Sequence, residues 1–359
     1  MRITPFYTRL AHVLICLIAL VYIAIIGQTV LAPLLFGLLF ALLLLPFANF
    51  LELRCRFSRS IATMVALLST SVLVVLAIFL LTGQLSQLGG DIPAFQQQLI
   101  VASGQIQTWI EHTFHVDSSS QAEYLNEAAN GALGKGTVLA GAALLSVSSI
   151  LLFLVFTFLY TFFILLYRRL LLRFIVALFQ EEHADIVSGA VLEIRFIVKK
   201  YVSGLLIQMA IVSIITCVAF EIIGIKYALL LGLITGIFNI IPYIGIFTSL
   251  LLSLLVTFAT MDSSAVVFVF ITVIVIHMID SNFIMPKVVG SQVKINPLAA
   301  LLGLVLGEMI WGIKGMFLSI PVIAILKVVF DRVEGLKPWS IFIAEEEIVK
   351  KMPESEPEI

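Results

Sequence analysis

Residues 227–260 read YALLLGLITGIFNIIPYIGIFTSLLLSLLVTFAT. Two apolar runs flank a polar, breaker-rich centre, Asn239-Ile240-Ile241-Pro242-Tyr243-Ile244-Gly245. Pro242 has no N–H to give a helix, and its ring clashes with the preceding turn. Gly245 relaxes the backbone just beyond it. The stretch is too long and too broken for one straight span, which takes about 20 apolar residues. Two membrane half-helices around an interrupted middle fit it better. Such interruptions are tolerated only against protein or a water-filled cavity, and in transporters they are where substrate and ions bind. The competing structural reading is a kinked helix in a bundle, bent by Pro242.

A related pattern recurs downstream. Ala228-Leu229-Leu230-Leu231-Gly232-Leu233-Ile234-Thr235-Gly236 resembles Ala299-Ala300-Leu301-Leu302-Gly303-Leu304-Val305-Leu306-Gly307. The second run enters its own broken centre, Glu308-Met309-Ile310-Trp311-Gly312-Ile313-Lys314-Gly315, and is followed by the apolar run 316–329. Paired interrupted segments in matching positions point to a transporter site and to an inverted repeat. Leucine and glycine are common in membranes, so coincidence is the alternative. Gly232 with Gly236, and Gly303 with Gly307, have the four-residue spacing of close helix contact. With Gly312 and Gly315 they form the expected packing and hinge set.

The composition sets the class. Of 359 residues, 61% are hydrophobic and only 12% are charged, against about 45–50% and 25% in soluble domains. The chain reads as an all-α polytopic membrane protein. Cys16, Cys55 and Cys217 are too far apart for a disulfide framework or metal spacing. No nucleotide, zinc-protease or hydrolase motif is present, so an ATP-driven pump is excluded. Uphill transport would need an ion gradient or a partner subunit. No nucleophile–base pair supports an enzyme, and no metal or cofactor is expected.

The chain divides into six stretches. Residues 1–81 hold N-terminal membrane helices, with spans at about 11–28, 30–50 and 61–81. Residues 82–135 are polar and acid-biased, with Trp109, His112 and His115, and are expected outside the cytoplasm. Residues 136–167 form a long aromatic-rich helix. Residues 168–200 form a cytoplasmic amphipathic linker. Residues 201–336 hold the transport core with both interrupted segments. Residues 337–359 form a charged cytoplasmic tail. Arg54, Arg56 and Arg59, and then Arg168, Arg169 and Arg173, mark cytoplasmic loops. This gives about six full spans plus two broken or re-entrant helical hairpins, with both termini cytoplasmic. In one topology both interrupted segments are hairpins dipping in from opposite sides, with Lys287 and Lys294 cytoplasmic. In the other each crosses as a bent span, which puts those lysines outside. The positive-inside bias favours the first.

An ionisable or amide group inside a span is costly and is a functional candidate by default. Glu308 sits at the second break, where it could exchange a proton or bind a cation, with Lys314 as its partner across the turn. Asn239 offers a donor and acceptors at the first break, where Pro242, Tyr243 and Gly245 free backbone groups for a ligand. Asp280 and Asn282 directly follow a span, and capping is their structural alternative. The leading reading is a secondary transporter working by alternating access. The alternative is a membrane scaffold or envelope-organising protein that transports nothing.

Several segments together resemble one family. They are 236–245 (GIFNIIPYIG), Pro286-Lys287-Val288-Val289-Gly290 through Ile295-Asn296-Pro297, 312–321 (GIKGMFLSIP) and 46–52 (PFANFLE). They are similar to the hallmarks of the AI-2E family of bacterial permeases, along nearly the whole chain. Ile246 and Asn296 depart from the Pro and His common there. The resemblance implies a multi-pass transporter of the bacterial inner membrane. The family is named for export of the quorum signal autoinducer-2, and other members are linked to sodium (or lithium)/proton antiport. The expected partners are therefore a small polar solute such as autoinducer-2 or a monovalent cation, with coupling to Na+ or H+. Membrane lipid and further copies of the chain complete the set; nucleic acid does not belong to it.

Overall fold

The computed structural model describes residues 6–90, 149–241, 244–261, 263–290 and 295–345. The stretch 91–148, which holds most of the polar segment expected outside the cytoplasm, with His112, His115, Trp109 and Lys135, lies outside the described residues. So do Pro242, Tyr243, Lys294 and most of the tail.

The protein is all-α. Among the described residues the only β pairing is an isolated bridge between Ile295 and Ala344. Among the described residues six helices are long and apolar enough to cross a membrane. Large apolar side chains cover the outsides of most of them, as they should where lipid tails rather than water are the neighbours.

The N-terminal path is α1 (Phe6–Ile26), α2 (Gln28–Leu53) and α3 (Arg59–Gly90). The sequence suggests a turn between the first two spans. The structure instead carries one bent path through Gly27, whose φ of −79° and ψ of 6° barely leave the helical region. Helical hydrogen bonds continue on both sides: Gly27 N–H donates to Ile23 O at 2.8 Å, and Leu31 N–H to Gly27 O at 2.8 Å. α3 also runs on through the start of the polar stretch, to Gly90.

α4 (Ser149–Leu166) packs beside α2, and Ala41, Leu44, Leu45, Leu67 and Leu165 form the core between α2, α3 and α4. The arginine-marked ends of α2 and α4 meet. Arg168 donates to Asn49 Oδ1 at 3.1 Å and pairs with Glu52. Arg59 and Arg169 also reach Glu52, at 3.7 and 3.9 Å. One carboxylate thus gathers three arginines from two segments, the start of α3 and the stretch just after α4.

α5 (Arg168–Ala177) is amphipathic and buries none of its residues. α6 (Ala184–Ile223) is a single 40-residue helix, about 60 Å long at 1.5 Å per residue. It joins the expected linker and the fifth span, because no breaker separates Lys199 from Tyr201. It is the pillar of the second half. Val198, Tyr201, Val202 and Leu205 pack against Leu39, Leu318 and Ile320. Phe220, near its other end, packs with Ile225, Leu230, Leu231, Val256 and Val269.

Both interrupted segments fold back on themselves. α6 ends at a left-handed Gly224, φ 83°, where Ile225 N–H reaches back to Phe220 O at 2.9 Å, a Schellman-type stop. α7 (Ala228–Phe238) then returns along α6, with Gly232 against Cys217 and Gly236 against Ser213. α8 (Ile244–Thr260) reverses again, so that Val256 lies in the same core as Ala228 and Leu231. α9 (Ser263–Ile279) continues into two π-helical turns, Asp280–Ile284 and Pro286–Gly290.

The second segment is α10 (Pro297–Trp311), Gly312 and α11 (Ile313–Arg332). Gly312 has φ 61° and ψ −141°, a region open essentially to glycine alone, and this reverses the chain in one residue. A Cβ on Gly307 or Gly315 would run into the other's carbonyl oxygen. The two helices therefore touch backbone to backbone, as small residues allow in membranes. Gly303 meets Ile323 farther down the same seam.

The two hairpins open at opposite ends of α6. That of α7 and α8 opens beside Gly224. That of α10 and α11 opens where Arg332 donates to Glu193 at 2.7 Å and to Ile186 O at 3.3 Å. α12 (Lys337–Ile343) closes this second base. Asn296 N–H donates to Ile343 O at 2.9 Å and the Asn296 amide to Phe342 O. Asn296 also caps α10, accepting from Ala299 N–H at 2.8 Å.

Candidate functional site

The end of α7, the start of the π-helical stretch and the middle of α6 converge on one carboxylate. Asp280 is 4% exposed and is the only charged residue that is buried among the described residues. Gln208 Nε2 lies 3.0 Å from both of its oxygens. Asn239 Nδ2 donates to Oδ2 at 2.9 Å. Gln208 is itself 5% exposed.

Local backbone geometry sets this meeting. At its C-terminus α7 tightens: Ile240 N–H bonds Ile237 O at 3.3 Å and Ile241 N–H bonds Phe238 O at 3.0 Å. Both are the i→i−3 pattern of a 3₁₀ turn. Gly245 lies so close to the Phe238 carbonyl that any Cβ there would collide with it, which lets α8 begin directly under Asn239. On α9 the switch to π-helix starts at Asp280, whose carbonyl accepts from Met285 N–H. The missing N–H of Pro286 favours this widening. π-helical turns are frequent at functional sites.

The electrostatics follow from the partners. Among the described residues no Lys, Arg or His pairs with Asp280. Two carboxamides solvate it. An ionised carboxylate buried without a counter-charge is expensive, and neutral amide donors offset only part of that cost. Asn239 and Gln208 each carry an amide oxygen that a cation beside the carboxylate could use.

The other candidates are placed as follows. Asn282 is exposed and donates its amide to Met278 O at 2.8 Å within its own helix. Glu308 is exposed on α10, and its backbone carbonyl accepts Gly312 N–H at 2.7 Å. Lys314 makes no ion pair with Glu308; its Nζ lies 4.4 Å above the Phe153 ring. Pro242 and Tyr243 lie outside the described residues. The structure therefore brings Asn239 and Asp280 together and leaves Glu308 and Lys314 at the tip of the other hairpin, without a hydrogen bond or ion pair to either. Gln208 had not been singled out. Its signal was present: it is the lone amide in the apolar run Leu205-Leu206-Ile207-Gln208-Met209-Ala210.

Among the described residues no group of His, Cys, Asp and Glu is arranged to hold a metal ion. The sequence pattern of the AI-2E family transporter matches residues 14–335. The chain is similar to two "Putative transport protein" sequences of Bacillus subtilis (strain 168). YrrI is 38% identical over 128 residues, which are 36% of this chain and 36% of YrrI. YueF is 36% identical over 131 residues, 36% of this chain and 35% of YueF. A more distant relative, named as permease PerM of Escherichia coli (strain K12), is 25% identical over 133 residues, 37% of this chain and 38% of PerM. The matched stretch thus spans little more than a third of each relative. With the match over residues 14–335, this multi-pass, non-enzymatic membrane protein belongs to the AI-2E transporter family.

Proposed function

We propose that this protein is a secondary transporter of the bacterial inner membrane in which Asp280, solvated by Gln208 and Asn239, is the group that couples solute movement to a cation or proton. The observation that carries this reading is a buried carboxylate with two carboxamide donors and no basic partner among the described residues. A carboxylate can take up a proton or pair with a cation, and its two carboxamide neighbours offer both donors and acceptors to serve either form. One side chain then alternates between proton-bound and ion-bound states, as exchange requires. The cargo is a small polar solute, with autoinducer-2 as the first compound to test, or a monovalent cation, Na+ first. The hairpins support alternating access. Their bases open at opposite ends of α6, and the end of one meets Asp280, so each can shield or expose the site from its own side.

The test is flux in proteoliposomes under imposed sodium and pH gradients, with and without autoinducer-2. Asp280→Asn should abolish gradient-driven flux while the protein still inserts and elutes as the parent does. Glu308→Gln, at the exposed tip, should retain it. If Asp280→Asn transports at the parental rate with unchanged sodium and pH dependence, the coupling group is not Asp280. Loss in Glu308→Gln alone would move the role to the hairpin tip.

A further inference from the structure

Away from the Asp280 cluster, none of whose residues line it, the helices leave a cleft of about 320 Å³ between the first turn of α2, the first turns of α4 and the tip of the α10–α11 hairpin. Phe153, Phe156 and Trp311 supply its apolar walls, and Gln28, Thr29 and Lys314 its polar groups. It lies at the ends of α2 and α4 opposite the Glu52–arginine cluster. Its volume is at the lower end of ligand-sized pockets.

Lys314 is the informative group. Arg59, Arg168 and Arg169 gather at the other end, where positive charge is expected. Lys314 lies at the opposite end, in the wall of the cleft. It has no carboxylate partner among the described residues, and its ammonium sits over the Phe153 face at 4.4 Å. A ring face holds a cation but does not neutralise it, so the charge remains free to bind an anion. The Trp311 indole N–H is already spent on Ala24 O at 2.8 Å, which fixes its ring as a wall. Gln28 and Thr29 can donate to an anion's remaining oxygens. The cleft also borders lipid-facing surface: Ile23, Ile25, Ile26, Ile150 and Leu151 are all exposed around it. A ligand here meets a cation at one end and acyl-chain surroundings at the other.

We propose that this cleft is a binding site for one anionic phospholipid, its phosphate on Lys314, Gln28 and Thr29 and the upper part of its acyl chains against Phe153, Phe156 and Trp311. The bound lipid bridges the tip of the α10–α11 hairpin to the layer of α2 and α4. The site is separate from the Asp280 cluster, and its test does not depend on transport.

The probe is phosphatidylglycerol with brominated acyl chains, read by quenching of Trp311. The full-length protein carries Trp109→Phe and Trp339→Phe, which leaves Trp311 as the sole tryptophan, and is placed in phosphatidylcholine nanodiscs. Brominated phosphatidylglycerol should show about a fivefold preference over brominated phosphatidylcholine at equal mole fraction, which is what one lysine near an anionic headgroup supplies. Lys314→Gln should remove the preference and Lys314→Arg should keep it. With Lys314 intact, high salt should shrink it. Equal quenching by the two lipids would overturn the proposal. So would a preference that survives Lys314→Gln, or one in the Lys314 protein that ignores salt. Displacement by soluble 4-phenylbutyrate without any preference for phosphatidylglycerol would reassign the cleft to a soluble carboxylate and also overturn it.

Discussion

At Asp280 the decisive quantity is the number of donors around a buried carboxylate. A hydrogen bond to a charged group contributes about 1.5–3 kcal/mol. Gln208 serves both oxygens, so its loss strips one whole side of the site. Gln208→Leu should raise the half-saturating concentration of the coupling ion by about tenfold or more, with little effect on insertion. Ion-dependent flux in proteoliposomes, fitted for KM and maximal rate, checks this; an unchanged KM would mean that Gln208 only packs. Asn239→Ala removes one bond to Oδ2 and should shift KM by less. Asn239 and Asp280 were legible in the sequence because each interrupts or ends an apolar run. Gln208 was harder to read because it sits mid-helix with no breaker nearby. Its importance depends on a partner 72 positions away, which no local pattern reveals.

Both hairpins announce themselves locally, because each reversal needs a residue that departs from helical geometry. At Gly312 the departure is extreme, and the adjoining Gly307–Gly315 contact leaves no space for a methyl group. Gly315→Ala should therefore destabilise the hairpin by about 1–3 kcal/mol, the usual range for overpacking. Gly224→Ala, where nothing crowds the Cβ, tests backbone conformation alone and should cost less. Thermal unfolding followed by tryptophan fluorescence orders the two; a Gly315→Ala variant as stable as the parent would mean that the seam can part freely. Helix continuity was read less well. The separate spans at about 11–28 and 30–50 imply a turn between them, yet the backbone at Gly27 stays close to helical and the path only bends. Lys199 and Lys200 suggest the end of a cytoplasmic helix, but α6 carries them through without a break. Charge marks where a helix meets water; only a break in the hydrogen-bond ladder ends it.

Across the whole molecule, electrostatics ties the layers together at one end. Glu52 is contacted by Arg59, Arg168 and Arg169. The Arg168 bond is charge-assisted, a type about twice as strong as a neutral one, while Arg59 and Arg169 are held by charge at 3.7 and 3.9 Å, and removing the carboxylate leaves the guanidiniums to repel one another. Glu52→Gln should lower the unfolding midpoint and loosen α2 from α4, and a cysteine pair at Gly37 and Thr161 should then crosslink more slowly. An unchanged midpoint would show that the arginines find other partners. The opposed hairpin bases lead to a topological expectation. Cysteines at Lys226 and Trp339 should react with an impermeant reagent from opposite sides, Lys226 from outside and Trp339 only after the inner membrane is opened. Labelling of both from one side would remove the opposed arrangement and the alternating shielding built on it.

The base of the second hairpin is sealed by groups that are neighbours in space and late in sequence: Asn296 against Phe342 and Ile343, and Ile295 against Ala344. During translation, at about 5–20 residues per second, α10 and α11 leave the ribosome before the strap that joins them exists. The nascent chain therefore passes through a stage with both helices made and their mouth unfastened, and whatever machinery inserts this protein must tolerate an open pair until residues 342–344 are made. Genes that end early, before Lys337, should yield full-length-looking membrane helices whose 295–297 segment is cut by protease, a defect of birth order rather than of the transport site.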